Sequence, residues 1–319
     1  MEIKKINTFF PVLIIGYIAL SIAAGFVMGI YEASTGKSIP LWITYVLGEL
    51  ILLIISLIYM AIVKMNPVRD IPFKKIGLKN ALQSILTGYL MIPMVLFLSN
   101  LSMLFSTNHL QESSQGLMSY PFLVQVILMA VIPPLVEETV FRGVFFGTYK
   151  RAGLLGGAVM SGLVFGCIHL NINQFVYAFT IGILFAVMVE ATGSIWSSVL
   201  AHFAVNTYSI GMLKLLELTG LLDKIYEAQE ISSSMEMSTE TMVITTIVQM
   251  FSLAVMAFGF MALVFISIKS MAKRSGRLEY IRAALKYRNP KGNGVHFVTL
   301  PAALTFIMCA VYMIVIEII

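Results

Sequence analysis

The chain has 319 residues, of which 59% are hydrophobic and only 12% charged, about half the charged fraction of an ordinary soluble protein. Mean hydropathy is +0.91, and no polar connection is long enough to form a soluble domain. The net charge of +5 is explained by loop Lys and Arg that bias orientation in a bilayer, so a nucleic-acid partner is excluded.

An all-α fold follows, a polytopic transmembrane helical bundle with about nine spans, because apolar stretches near the roughly 20 residues a spanning helix needs recur along the chain. They run approximately over 9–31, 41–63, 81–105, 120–149, 154–171, 173–191, 195–216, 241–268 and 296–318. The first follows Lys4 and Lys5 as a signal peptide would, yet is too long for one and lacks a convincing cleavage site. Four basic groups fall on one side: Lys4 and Lys5; Lys64, Arg69, Lys74, Lys75 and Lys79; Lys150 and Arg151; and Lys269, Lys273, Arg274, Arg277, Arg282, Lys286, Arg288 and Lys291. They hold 17 of the 21 Lys and Arg residues, which puts the N-terminus in the cytoplasm and the C-terminus outside. The acidic connection from Glu217 to Glu240 then lies outside. It is expected to be a solvated loop, and the basic 269–294 a topological anchor against the lipid bilayer. The two cysteines, Cys167 and Cys309, sit in apolar stretches and imply no disulfide framework.

Within the spans lie Glu49, Glu137, Glu138, Arg142, His169, Glu190 and His202. Each such charge costs about 2.5–3.5 kcal/mol at mid-bilayer, so they must face one another or a wet cavity. Glu49, alone on its span, is most simply read as polar glue between helices. On the fourth span, Glu138 and Arg142 are four apart, about 40° around an α-helix, and can pair. Glu137 is turned about 140° from Arg142 and stays available as a base. Phe165 and His169 are four apart on the fifth span, as are His202 and Asn206 on the seventh. Cys167 and His169 point to opposite sides of their helix, which argues against a Cys–His dyad.

Three motifs stand in order: Glu137-Glu138-x-x-x-Arg142, Phe165-x-x-x-His169 and His202-x-x-x-Asn206, the last preceded by VEATGSIWSSVLAHFAVN over 189–206. Together they resemble the CPBP family of intramembrane proteases, the CAAX-protease and bacteriocin-processing or ABI family that includes Rce1-type enzymes. The resemblance covers about 118–212, which would be the catalytic core of a single membrane domain spanning 1–319. The spans within 1–117 and 213–319 would be accessory.

The resemblance implies an endopeptidase cleaving a membrane-associated or lipidated peptide or protein in the cell membrane. In it Glu137 and His169 activate water, and His202 and Asn206 donate hydrogen bonds to the oxyanion. Glu138, Arg142, Phe165 and Glu190 support the site. Cofactor use is left open: none is strictly required, and His169, His202 and Glu137 form a conceivable Zn²⁺ set, although no HExxH helix is present. Counting residues inward from Lys150 places the site within reach of the cytoplasmic side, with His202 shallower than Glu137. Two alternatives stand: a non-catalytic scaffold or bacteriocin-immunity protein of the same fold, and a proton-coupled transporter, since Glu and His chains also build proton relays.

Overall fold

A computed structural model describes residues 3–107, 115–221, 224, 225, 227, 238–286 and 297–318. Most of the acidic connection, with Asp223, Glu230 and Glu236, lies outside the described residues, as do Arg288 and Lys291. The described chain is a polytopic helical bundle. Its longer helices are α1 (Ile3–Thr35), α2 (Leu41–Ile62), α3 (Leu78–Ser102), α4 (Phe122–Tyr149), α5 (Leu154–Ile168), α6 (Ile172–Thr192), α7 (Trp196–Leu218), α8 (Thr239–Arg274), α9 (Leu278–Lys286) and α10 (Leu300–Ile318).

Eight of these are long and apolar enough to cross a membrane, and the chain is a multi-pass membrane protein. The stretch 154–171, expected to be a further span, differs. α5 has 15 residues, about 22 Å at 1.5 Å per residue, against a hydrocarbon core of about 30 Å. It ends early for a local reason. Leu170 adopts a left-handed conformation (φ 50°), uncommon for a residue with a side chain. Asn171 then caps α6, its Oδ1 accepting the Gln174 N–H at 2.8 Å. The chain reverses within three residues, and His169 stands at the turn.

α4 is not a uniform α-helix. Residues 127–131 and 139–146 take the wider π-helical hydrogen bonding, and the α-helical turn Ile132–Glu138 between them carries both glutamates. Such widened turns are rare and recur at functional sites.

The helices are packed through small residues and polar rungs, as expected where lipid supplies no hydrophobic drive. α3 meets α7 so closely that a Cβ on Gly88 would lie 2.3 Å from the Ala201 carbonyl oxygen. Between α3 and α8, Thr87 and Ser267 hydroxyls bond at 2.7 Å and Asn80 donates to Ser275 at 2.9 Å. One end of the bundle gathers the basic segments. There Glu190 at the end of α6 pairs with Lys150 (2.7 Å) and with Arg277, while the Tyr149 hydroxyl donates to Asn7 of α1. The segment between α2 and α3 folds into this end. Ile71 is buried against Gly143, and the Pro72 carbonyl accepts the Ile195 N–H at 2.9 Å.

Candidate active site

Glu137 and Glu138 leave the same turn of α4 toward different surroundings. Glu138 is fully buried. Its Oε1 accepts from Arg142 Nη1 at 2.8 Å and from His202 Nδ1 at 3.0 Å. The ion pair suggested by the i,i+4 spacing is therefore present, inside a π-helical segment rather than a regular α-turn. Arg142, also fully buried, has its guanidinium carbon 4.3 Å from the Phe165 ring centre and 5.2 Å from that of Phe185. Guanidinium faces suit such aromatic contacts. Space for it comes from α6: a Cβ on Gly182 would sit 3.2 Å from Arg142 Nη2. Phe165 thus acts as a wall for the cation, and its ring meets both imidazoles, edge-on, at 5.1 Å from His169 and 5.8 Å from His202.

Glu137 faces a cavity of about 280 Å³ whose lining includes Glu49, His169, His202 and Asn206. Its Oε2 lies 3.6 Å from His202 Nε2, too long for a direct hydrogen bond and suited to a bridging water. The partner of Nδ1 sets the tautomer of His202. An ionised carboxylate only accepts, so Nδ1 carries the proton toward Glu138. Nε2 then accepts in the neutral ring and donates only in the imidazolium.

Asn206 is oriented by a defect in α4. Pro133 and Pro134 have no N–H, so the Met129 carbonyl lacks a donor from either the fourth or the fifth residue ahead. Asn206 Nδ2 supplies one at 2.9 Å. One amide hydrogen is thereby committed, and the other is left on a side chain that lines the cavity.

The structure brings Glu137, His169, His202, Asn206 and Phe165 to one cavity, with Glu138 and Arg142 directly behind it. His202 is not shallower than the glutamates, as residue counting suggests. It reaches Glu138 directly because α7 begins inside the bundle, on the infolded Pro72 segment. Glu190 is not brought to the site: it is absent from the lining and is taken up by Lys150 and Arg277 at the basic end. Glu49 of α2 is part of the cavity wall, which its reading as interhelical glue missed. Its place at mid-span was the available signal. Cys167 turns away from the site and meets Cys309 of α10, both as free thiols.

Among the described residues no three His, Cys, Asp or Glu side chains converge in a metal-holding arrangement. The donors as placed do not fit a metal centre.

The cavity also has a direction. Tyr45, Leu128 and Met129, which line it, lie near the starts of α2 and α4, and those starts lie opposite the end holding Lys150, Glu190 and Arg277. The cavity therefore extends from the glutamates away from the basic end.

Residues 119–208 match the family described as type II CAAX prenyl endopeptidase Rce1-like. The matched stretch contains all three motifs. A Bacillus subtilis (strain 168) protein named "Putative membrane peptidase YdiL" is 27% identical over 90 residues. That alignment covers 28% of this chain and 37% of the relative's length. No solved structure matches the chain.

Proposed function

We propose that the chain is an intramembrane endopeptidase that hydrolyses a peptide bond of a membrane-associated or lipidated peptide, with water activated by Glu137. The observation that carries this reading is the pairing of Glu137 with His202 Nε2 across 3.6 Å, at the wall of a cavity deep in the bundle. A water held between the carboxylate and the imidazole can lose its proton to Glu137 as it attacks a carbonyl carbon. The oxyanion that forms needs fixed donors, which are worth more where water is scarce. The free amide hydrogen of Asn206 suits this role, as does His202 Nε2 when the ring is protonated. His169 lines the same cavity, where it can orient the scissile amide, and the proton taken up by Glu137 passes to the leaving amine as the C–N bond breaks. Glu138 and Arg142 act by holding His202 in one tautomer and orientation.

The Rce1-like domain and the peptidase name of the Bacillus relative support the reaction class. The accessory helices α1–α3 and α8–α10 lie outside the matched stretch. Glutamate-activated water is preferred to a zinc mechanism because, among the described residues, no three His, Cys, Asp or Glu side chains come together as a ligand set.

The test is cleavage of a membrane-anchored peptide library by the purified protein in nanodiscs, read by mass spectrometry. Glu137→Gln is expected to abolish cleavage while insertion and thermal unfolding stay unchanged. Cleavage by this variant at the wild-type rate would overturn the reading.

A further inference from the structure

α2 is not part of the Rce1-like stretch, yet it places a carboxylate in the same cavity. Glu49 lines the wall with Glu137, and the two interact electrostatically because α2 packs on the 132–138 turn. The Oε2 atom of Glu49 is shielded from solvent and has no hydrogen-bond partner. Among the described residues no Lys or Arg lines the cavity. Arg142, the nearby cation, pairs through Nη1 with Glu138 and is boxed by Phe165 and Phe185, outside the cavity lining.

An ionised carboxylate with one oxygen shielded from water and unpaired, beside a second carboxylate, is costly to keep without a counter-charge. Polar glue between helices would spend both oxygens on a neighbouring helix, and Oε2 is not spent. A ligand that brings a positive charge satisfies Oε2 and relieves the repulsion from Glu137. The rest of the wall fits such a ligand's stem: Ile92, Val95 and Leu96 of α3 face the same space, and apolar surface accommodates the methylenes of Lys or Arg while the head reaches an anion.

We propose that Glu49 forms a cation-recognising subsite that takes a Lys or Arg side chain of the substrate peptide close to its scissile bond. The identity of the ligand as a peptide rests on the protease reading; the preference for an alkyl cation does not. Truncating one member of a desolvated charge pair leaves the other unpaired, so the loss on neutralising Glu49 is expected to be large.

The experiment has two arms. In the first, n-butylguanidinium and n-butanol are titrated into the protein in nanodiscs, with empty nanodiscs as blank, and binding is followed by saturation-transfer NMR. Glu49→Gln is expected to raise the Kd for n-butylguanidinium at least ten-fold and leave n-butanol unchanged, in protein whose thermal unfolding matches wild type. Equal Kd values for wild type and Glu49→Gln overturn the proposal, as does a loss seen in Glu137→Gln but not in Glu49→Gln. In the second arm, peptides carrying Lys or norleucine at each position are offered for cleavage. Wild type is expected to favour Lys at one fixed position by ten-fold or more, and Glu49→Gln to lose that preference. A wild type that cleaves without any such preference also overturns it. Should n-butylguanidinium bind through Glu49 while no peptide is cleaved, the subsite stands and the protease reading falls.

Discussion

Arg142 shows how much a single buried cation settles. Its charge fixes Glu138, Glu138 fixes His202, and His202 faces Glu137 across the cavity. Removing the cation leaves a fully buried carboxylate uncompensated, which typically costs about 3–5 kcal/mol. Arg142→Met is therefore expected to destabilise the protein by that order in a detergent-unfolding titration, and adding Glu138→Gln should return at least half of the loss. A cost below about 1 kcal/mol for Arg142→Met alone would mean that the pair does not hold the site. Much of this was legible: residues four apart must be neighbours on a helix, so the pair could be read from spacing. The third member was not, because nothing in spacing brings a histidine 64 positions away onto Glu138. Glu190 shows the converse. It lies in the run leading to the third motif, yet basic residues from two other segments capture it at the end of the bundle.

At the scale of the element, α4 departs from the regular helix on which wheel arguments depend. The two widened turns flank the glutamates, and hydropathy carries no trace of them. One consequence was nevertheless written in the sequence, in Pro133 and Pro134, whose missing donors leave the Met129 carbonyl to Asn206. This link can be tested by a double-mutant cycle. Asn206→Ala removes the hydrogen bond and is expected to cost about 1 kcal/mol. Pro133→Ala restores an N–H one turn ahead of Met129, so in that background Asn206→Ala should cost clearly less. The coupling energy in unfolding titrations reads the link directly, and strict additivity would break it. α7 depends on packing in the same way. Gly88 allows the Ala201 backbone to approach, and Gly88→Ala is expected to push α7 outward and lower cleavage by an order of magnitude or more, while leaving membrane insertion intact. Unaltered cleavage would show that the close approach is not what places His202 and Asn206.

At the scale of the whole molecule, hydropathy read the bundle correctly as multi-pass and helical. It could not show that one apolar stretch forms a helix of only 15 residues, because a left-handed Leu170 and a capping Asn171 end α5 without changing its apolar character. Nor could counting residues from Lys150 give the direction of the cavity, which depends on how α2 and α4 begin. The basic segments collect at one end, and the cavity extends from Glu137 toward the other. If the basic end faces the cytoplasm, a peptide reaches Glu137 from the opposite face rather than from the cytoplasmic face that counting suggests. Single cysteines decide between these entries, since Cys167 and Cys309 are buried and stay unlabelled. Ser209→Cys, on the cavity wall, and Arg151→Cys, at the basic end, are to be reacted with a membrane-impermeant maleimide in right-side-out and inside-out vesicles. The two sites are expected to label from opposite faces, with rates differing at least ten-fold between vesicle types and Ser209→Cys favoured in right-side-out vesicles. Labelling of both from the cytoplasmic face would place the entry beside the basic loops, and the glutamates would then be approached across the infolded Ile71 segment.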